Sequence, residues 1–241
     1  MKIDIEGIVI KQNPYKEKDA MISVLTKDGI ISFLARGVLS ISSKNKSSCL
    51  PFSYSSFSLN SKVDKLSLTQ GKLIKSYYHF YNSLEDLASV NLISECIVKF
   101  IDEENTHLFE YLKNYLELLD QGFDEITLTA IMLAQIVKNS GYDLDYSSCV
   151  KCGSKKDIVH VSYKDGGFIC KKCLEKAHQV DSQEYLKSFR YLFMVPSSLM
   201  DHYVLDKTIG QTLIKEFCAY LSESFGFKDI KSLEIYEATI K

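Results

Sequence analysis

Two C-x-x-C pairs, Cys149/Cys152 and Cys170/Cys173, stand seventeen residues apart in the stretch CVKCGSKKDIVHVSYKDGGFICKKC. Four thiols at this spacing constrain the chain more than any other feature, because two such knuckles can wrap opposite sides of one tetrahedral ion. Gly153 follows the first pair, and the turn-forming Asp165-Gly166-Gly167 separates two short apolar runs, Ile158-Val159-His160-Val161 and Gly167-Phe168-Ile169. This pattern predicts a hairpin that returns the second knuckle to the first. The expected occupant is one structural zinc ion held by Cys149, Cys152, Cys170 and Cys173, since a shell closed by four sulfurs leaves no position for an activated water. His160 and His178 lie nearby and read as bystanders, because the cysteines already fill the shell. The competing reading makes each pair a redox dithiol, but a thioredoxin-type C-x-x-C opens a helix after a strand and needs no second pair.

The rest of the chain divides by its periodicity. Up to about Leu73 the pattern is that of strands: Ile5-Glu6-Gly7-Ile8-Val9-Ile10, then Ala20 to Thr26 joined to Ile30 to Ala35 through Lys27-Asp28-Gly29, then Phe52 to Leu59 and Leu66 to Thr69. Five short strands in about seventy residues predict a small closed barrel, with an OB-fold as the leading choice. The segment Gly37 to Ser48 reads as a polar, mobile loop. After Tyr81 the period becomes helical. Ser83 is a candidate cap for a helix with Leu84, Leu87, Leu92, Cys96 and Phe100 on one face, and Thr106 for a second ending at Gly122. A third runs from about Asp124 to Ser140, and helical pattern returns over 182–194 and from about Thr208 to Phe225, stopped by Gly226. The expected class is α+β and multidomain: an OB-fold barrel at 1–80 and an α-helical domain at 81–241, with the four-cysteine zinc-binding segment inserted at 147–178.

Charge is uneven between these parts. Residues 1–80 hold twelve Lys/Arg and six Asp/Glu, a balance of +6, which leaves seventeen against twenty-five, or −8, for residues 81–241. A basic domain beside an acidic one suits a polyanion on one face and a protein partner elsewhere. Seven cysteines, no apolar leader and no run of roughly eighteen apolar residues predict a soluble protein of a reducing cytoplasm, not of a membrane. No phosphate loop, H-E-x-x-H pair or nucleophile elbow occurs, and Asp102-Glu103-Glu104 reads as solvated loop charge, so no enzyme activity is expected.

Several short matches run in order along nearly the whole chain: Gly7-Ile8-Val9-Ile10-Lys11, Tyr15-x-Glu17-x-Asp19, Leu25-Thr26-x-Asp28-Gly29, Ala35-Arg36-Gly37, Pro51-Phe52, Gly141-Tyr142-x-Leu144, Phe225-Gly226 and Lys231-Ser232-Leu233. In these the chain resembles the bacterial recombination mediator family RecO. The resemblance implies an ATP-independent, nucleoid-associated mediator that binds single- and double-stranded DNA and anneals complementary strands. With the partner RecR, such a protein helps RecA displace single-strand-binding protein. It also implies DNA contacts from the segment after the third strand, carried here by Arg36, Lys44 and Lys46. The family tends to place several basic residues between that arginine and Ser43, where this chain has Val38-Leu39-Ser40-Ile41-Ser42. A weaker contact through this loop is the consequence, with Lys11, Lys16, Lys18, Lys72 and Lys75 available to compensate. The alternative from another class is a zinc-stabilised protein adaptor without a nucleic-acid role.

Overall fold

The structure is a computed structural model, and it describes all residues except 1, 63, 64, 105, 106, 176–178, 228 and 241. The expected cap Thr106 and the bystander His178 therefore lie outside the described residues. Five strands, β1 (Lys2–Pro14), β2 (Ala20–Thr26), β3 (Gly29–Ala35), β4 (Tyr54–Lys62) and β5 (Lys65–Lys75), close into a barrel in the order β1-β2-β3-β5-β4. The β1–β4 seam is antiparallel and pairs Ile5 with Phe57, and β3 meets β5 in parallel at Leu34 and Ser67. This is the OB-fold arrangement. Val9, Ile22, Val24, Phe33, Phe57 and Leu59 fill the interior, with the Phe33 and Phe57 rings 5.1 Å apart.

The turn after β2 shows why this sequence makes this hairpin. The Thr26 hydroxyl donates to the Gly29 carbonyl at 2.8 Å and accepts from the Asp28 amide at 3.1 Å, while Gly29 adopts a φ of +114°. A Cβ on Gly29 would collide with the Glu103 carbonyl, which accepts instead from the Ile30 amide at 2.7 Å. The Asp102-Glu103-Glu104 loop keeps its side chains exposed, as its composition suggests, but its backbone is a joint between the barrel and the helices.

Six α-helices follow among the described residues: α1 (Leu84–Phe100), α2 (Leu108–Asp120), α3 (Glu125–Asn139), α4 (Gln183–Met194), α5 (Lys207–Phe225) and α6 (Lys231–Thr239). Ser83, Asp124 and Ser182 each accept a backbone amide of the first turn, from Asp86 at 3.1 Å, Thr127 at 2.8 Å and Tyr185 at 3.1 Å. Every residue from Ile126 to Val137 is buried, so α3 is apolar all round and lies at the centre of the bundle. Between α3 and α4 the chain leaves the bundle to form β6 (Ile158–Ser162) and β7 (Gly167–Cys170), a two-stranded sheet. Among the described residues no helix is long and apolar enough to cross a membrane.

Strand β1 joins the two halves. Residues 7–10 are all buried, in a break from the alternation of the preceding residues. Val9 points into the barrel core, whereas Ile8 and Ile10 belong to the same apolar cluster as α1, α2 and α3. A strand covered on both faces loses its alternation for this reason. The segment after β3 is more ordered than its polar composition suggests. Gly37 donates to an Asp19 carboxylate oxygen at 2.8 Å, Leu39 to the Lys18 carbonyl at 3.0 Å, and the Asn45 amide oxygen accepts from Gly71 at 2.9 Å. Groups elsewhere in the barrel thus add to the turns that the loop makes within itself, such as the Ser40 amide on the Gly37 carbonyl at 3.2 Å and the Ser43 amide on the Ser40 carbonyl at 3.1 Å.

Candidate metal centre and nucleic-acid interface

The hairpin of β6 and β7 carries the two knuckles together. Val161 pairs with Phe168 and Ser162 with Gly167, and Gly166 and Gly167 have positive φ of 87° and 144°. In the first knuckle the Gly153 amide donates to the Cys149 carbonyl at 2.7 Å, and the Cys149 amide in turn donates to the Ser154 carbonyl at 2.8 Å. Gly153 makes this tight return at φ +73°. The second knuckle closes through the Cys173 amide on the Cys170 carbonyl at 2.9 Å.

These turns place the Sγ atoms of Cys149, Cys152, Cys170 and Cys173 within 4.8 Å of one another, with Cys152 and Cys170 at 3.6 Å. Zinc–sulfur bonds of about 2.3 Å require edges of about 3.8 Å in a tetrahedral shell, and a disulfide requires about 2.05 Å. The donor set therefore fits a zinc site. Burial opposes ionisation of Cys149, but the backbone amides of Cys170, Lys151 and Cys152 outweigh it and bring the thiol down to about 6. Hydrogen bonding with Cys152, followed by burial, pushes Cys173 up to about 12. A thiolate is thus available to a cation at neutral pH. The expected bystander His160 is engaged elsewhere: its Nδ1 lies 2.9 Å from an Asp181 carboxylate oxygen that also accepts from the Val161 amide.

The hairpin is tied to the bundle by a second polar cluster. Tyr163 from the β6–β7 turn and Tyr185 from α4 both donate to one Glu216 carboxylate oxygen of α5, Tyr163 at 3.1 Å. Burial raises Glu216 from its ordinary value despite these two bonds. The Phe168 ring packs on Phe189, 5.4 Å between centroids.

A different site lies on the barrel. A groove of about 650 Å³ runs between the β1–β2 loop, the outer side of β2 and β3, and the adjoining ends of β4 and β5. Arg36, Lys16, Lys62 and Lys65 supply four cations against one carboxylate, Asp19, and Tyr15, Met21, Leu34 and Leu66 supply apolar surface. Among the described residues none of these four cations forms an ion pair. Lys16 lies over the exposed Tyr15 ring, 5.7 Å from its centroid. Such a trough can hold a polyanion while planar groups lie on its aromatic and apolar wall.

The structure brings Arg36 into this groove but not Lys44 or Lys46. Those two lysines flank Asn45, which is anchored on β5 at Gly71. The groove meets β5 at Leu66 and Ser67, about 13 Å away along the strand. Lys75 is paired with Glu117 at 3.1 Å, and Lys11 lines a separate groove beside α1 and α6. Lys62 and Lys65 are not singled out by sequence spacing. They flank the β4–β5 turn, and in OB-folds that turn and the β1–β2 loop border the ligand face.

Comparison with known proteins agrees with this architecture. Residues 1–77 match the family description "Recombination protein O N terminal" and residues 81–209 match "Recombination protein O C terminal". The chain is 31% identical over 179 residues to the DNA repair protein RecO of Bacillus pumilus, covering 73% of this chain and 70% of that one. It is 31% identical to RecO of Bacillus subtilis, covering 71% and 68%. The RecO of Caldicellulosiruptor bescii is 25% identical over 239 residues, 97% of both chains. With its closed five-stranded barrel, its helices and its cysteine cluster in this order, the chain belongs to the RecO family of DNA repair and recombination proteins.

Proposed function

We propose that this protein is a recombination mediator that binds single- and double-stranded DNA through the barrel, anneals complementary single strands, and acts with RecR to promote RecA loading on DNA coated by single-strand-binding protein. The observation that carries this reading is the barrel groove, where four cations without an ion pair among the described residues, and an aromatic ring, border the ligand face of an OB-fold. Arg36, Lys16, Lys62 and Lys65 contact phosphates in it, and Tyr15 offers a stacking surface. Lys44 and Lys46, on their separate part of the barrel beside β5, extend the contact for a longer strand.

The metal is one zinc ion held by Cys149, Cys152, Cys170 and Cys173. Bound there, it supplies a crosslink and no chemistry of its own, because four sulfurs close its shell. A mediator works by binding energy alone, altering the competition between two proteins for one strand. The residues 1–80 form the DNA-binding unit and 81–241 the scaffold, with 147–178 as the zinc-bearing insertion.

The test supplies the purified protein, RecR and RecA with gapped DNA coated by single-strand-binding protein. RecA loading and strand annealing are expected to accelerate, with no nuclease products and no ATP turnover by this protein alone. Replacing Arg36, Lys62 and Lys65 by Ala should flatten the logarithmic salt dependence of single-strand binding by about 2, at roughly 0.7 per lost contact. Cleavage, ATP hydrolysis, or unaltered loading and annealing would refute the mediator reading and leave the adaptor in its place.

A further inference from the structure

Three cysteines lie outside the metal cluster, and the structure places them in two settings. Cys49 is buried in the barrel core, where it is the one cysteine among the described residues and its sulfur meets the Ser48 hydroxyl at 3.9 Å. Cys96 of α1 and Cys218 of α5 are buried together in the helical core, and their thiols are hydrogen-bonded to each other. This contact, followed by burial, raises the Cys96 thiol well above its ordinary value. Cys96 is therefore a neutral thiol at neutral pH. Two sulfurs in contact are also the starting geometry of a disulfide, which forms when they close to about 2.05 Å.

The pair is sealed on one side only. Cys96 is wholly buried, but Cys218 lines a surface pocket of about 360 Å³ between α5 and α6. Ala219 and Ser222 of α5, with Ile230 and Leu233 at the start of α6, form its walls. Lys215 also lines it and is occupied by Glu237 of α6 at 3.1 Å. Hydrogen peroxide is little larger than water, which takes up about 30 Å³ in the liquid, so the pocket admits it. Access to the sulfur then follows the seating of α6, whose first amides are held by Glu95, the neighbour of Cys96 on α1.

We propose that Cys96 and Cys218 are a redox-active dithiol, oxidised by hydrogen peroxide that enters between α5 and α6, and closed to a disulfide that ties α1 to α5. The Cys218 sulfur attacks one peroxide oxygen: an S–O bond forms, the O–O bond breaks, and the thiol proton leaves with the other oxygen as water. The Cys96 sulfur then attacks the sulfenic acid. The S–S bond forms, the S–O bond breaks, and the hydroxyl departs with the Cys96 proton as a second water. The two thiols lose two electrons and the peroxide gains them. A thiol as protonated as Cys96 is a slow nucleophile in solution, but here the sulfur that it attacks is already beside it. The inference stands apart from the DNA reading, since it uses no residue of the barrel groove and none of the metal cluster.

The test exposes the intact, metal-loaded protein to hydrogen peroxide, alkylates the remaining thiols after denaturation, and maps the disulfides by mass spectrometry without reduction. The wild type should yield a Cys96–Cys218 peptide pair that a reductant abolishes, while Cys49, buried without a second thiol, stays reduced. The oxidised protein should melt about 5–10 °C higher and lose this gain on reduction. Cys96→Ala removes the resolving thiol and should hold Cys218 as a sulfenic acid, trapped by a cyclic diketone. Cys218→Ala should leave Cys96 reduced. Glu95→Ala, which loosens α6 over the pocket, should form the crosslink roughly threefold faster or more.

A wild-type pair that remains reduced at every peroxide concentration the folded protein survives overturns the proposal, and this map decides the question even where a variant fails to fold. So does a crosslink from either thiol to the metal-cluster cysteines in place of the pair, or one that appears only above the melting transition. A sulfenic acid on Cys96 in Cys218→Ala would show that the pocket is not the route, and the proposal is then wrong. An oxidised form that melts no higher would show that the bond does not fit the native core, and overturns it as well.

Discussion

Phe52 has a left-handed backbone, φ +65°, that L-residues with large side chains rarely adopt. Its amide donates to the Val9 carbonyl at 2.7 Å, and its ring meets Phe80 edge-on at 5.8 Å in the core shared by barrel and helices. Packing therefore holds a strained residue in place. Phe52→Ala loses the packing and keeps the strain, whereas Phe52→Gly loses both. Both variants should be destabilised, but Gly should be the more stable of the two by about 1 kcal/mol in urea unfolding; the opposite order would show that the backbone is relaxed there. Glu125 stores a second kind of cost. Burial, with Asp124, Asp86 and Glu85 nearby, raises its carboxyl to about 7 although Tyr236 donates to it at 3.0 Å. The folded state thus holds a proton that the unfolded state releases from about pH 4.5 upward. This contribution is fully present below that pH and is lost as the pH rises through about 7. Glu125→Gln should match the wild type near pH 4 and exceed it at pH 8, by on the order of 2 kcal/mol.

Helix α6 illustrates what local sequence can and cannot reveal. The starts of α1, α3 and α4 are legible because Ser83, Asp124 and Ser182 cap their own helices. Ile230, the residue that precedes α6, offers no side chain for this, and the matching segment Lys231-Ser232-Leu233 carries no helix signal. Its cap is Glu95 of α1, whose carboxylate accepts from the amides of Lys231 at 3.3 Å and Ser232 at 2.8 Å, and from the Ser232 hydroxyl at 2.6 Å. A cap supplied from 136 residues away has no local pattern. The knuckles are legible for the opposite reason, since their ligands and turns lie within one short stretch. Arg36 is legible as a cation, but its companions Lys16, Lys62 and Lys65 meet it only when the barrel closes. Burial opposes ionisation of Glu95, but Lys99 and Ser232 outweigh it and bring the carboxyl down to about 2. Its contribution is present above about pH 4.5 and is lost as the pH falls through about 2. Glu95→Ala should lower stability by about 1–3 kcal/mol at pH 7 and release α6 first, read as faster amide exchange over 231–239. Unchanged exchange there would mean that packing alone holds the helix.

The distribution of apolar contacts holds the barrel groove in a constant relation to the helical bundle. Ile8, Ile10, Leu25 and Phe52 of the barrel half lie in one cluster with residues of all six helices, while the interior of the barrel forms a smaller cluster of its own. A linker alone would let the barrel swing. Here β1 is instead a shared wall, buried on one side by strands and on the other by α1 and α2. Separating the halves would expose these side chains together, at about 1.5–3 kcal/mol for each large one. The barrel and the bundle should therefore unfold as one unit, whereas the hairpin, which meets the bundle through only a few side chains such as Val161, Tyr163 and Phe168 and is otherwise held by its crosslink, should open first when a chelator removes its metal. Ile8→Ala, on the helix-facing side of β1, should cost about 2–5 kcal/mol and shift the transitions reported by barrel and helix probes equally. Amide exchange with chelator present should rise over 148–173 and stay unchanged in β1 to β5. Two separate transitions in the Ile8 variant, one for each half, would show that the barrel is an autonomous module and that its groove is not held in a fixed relation to the helices.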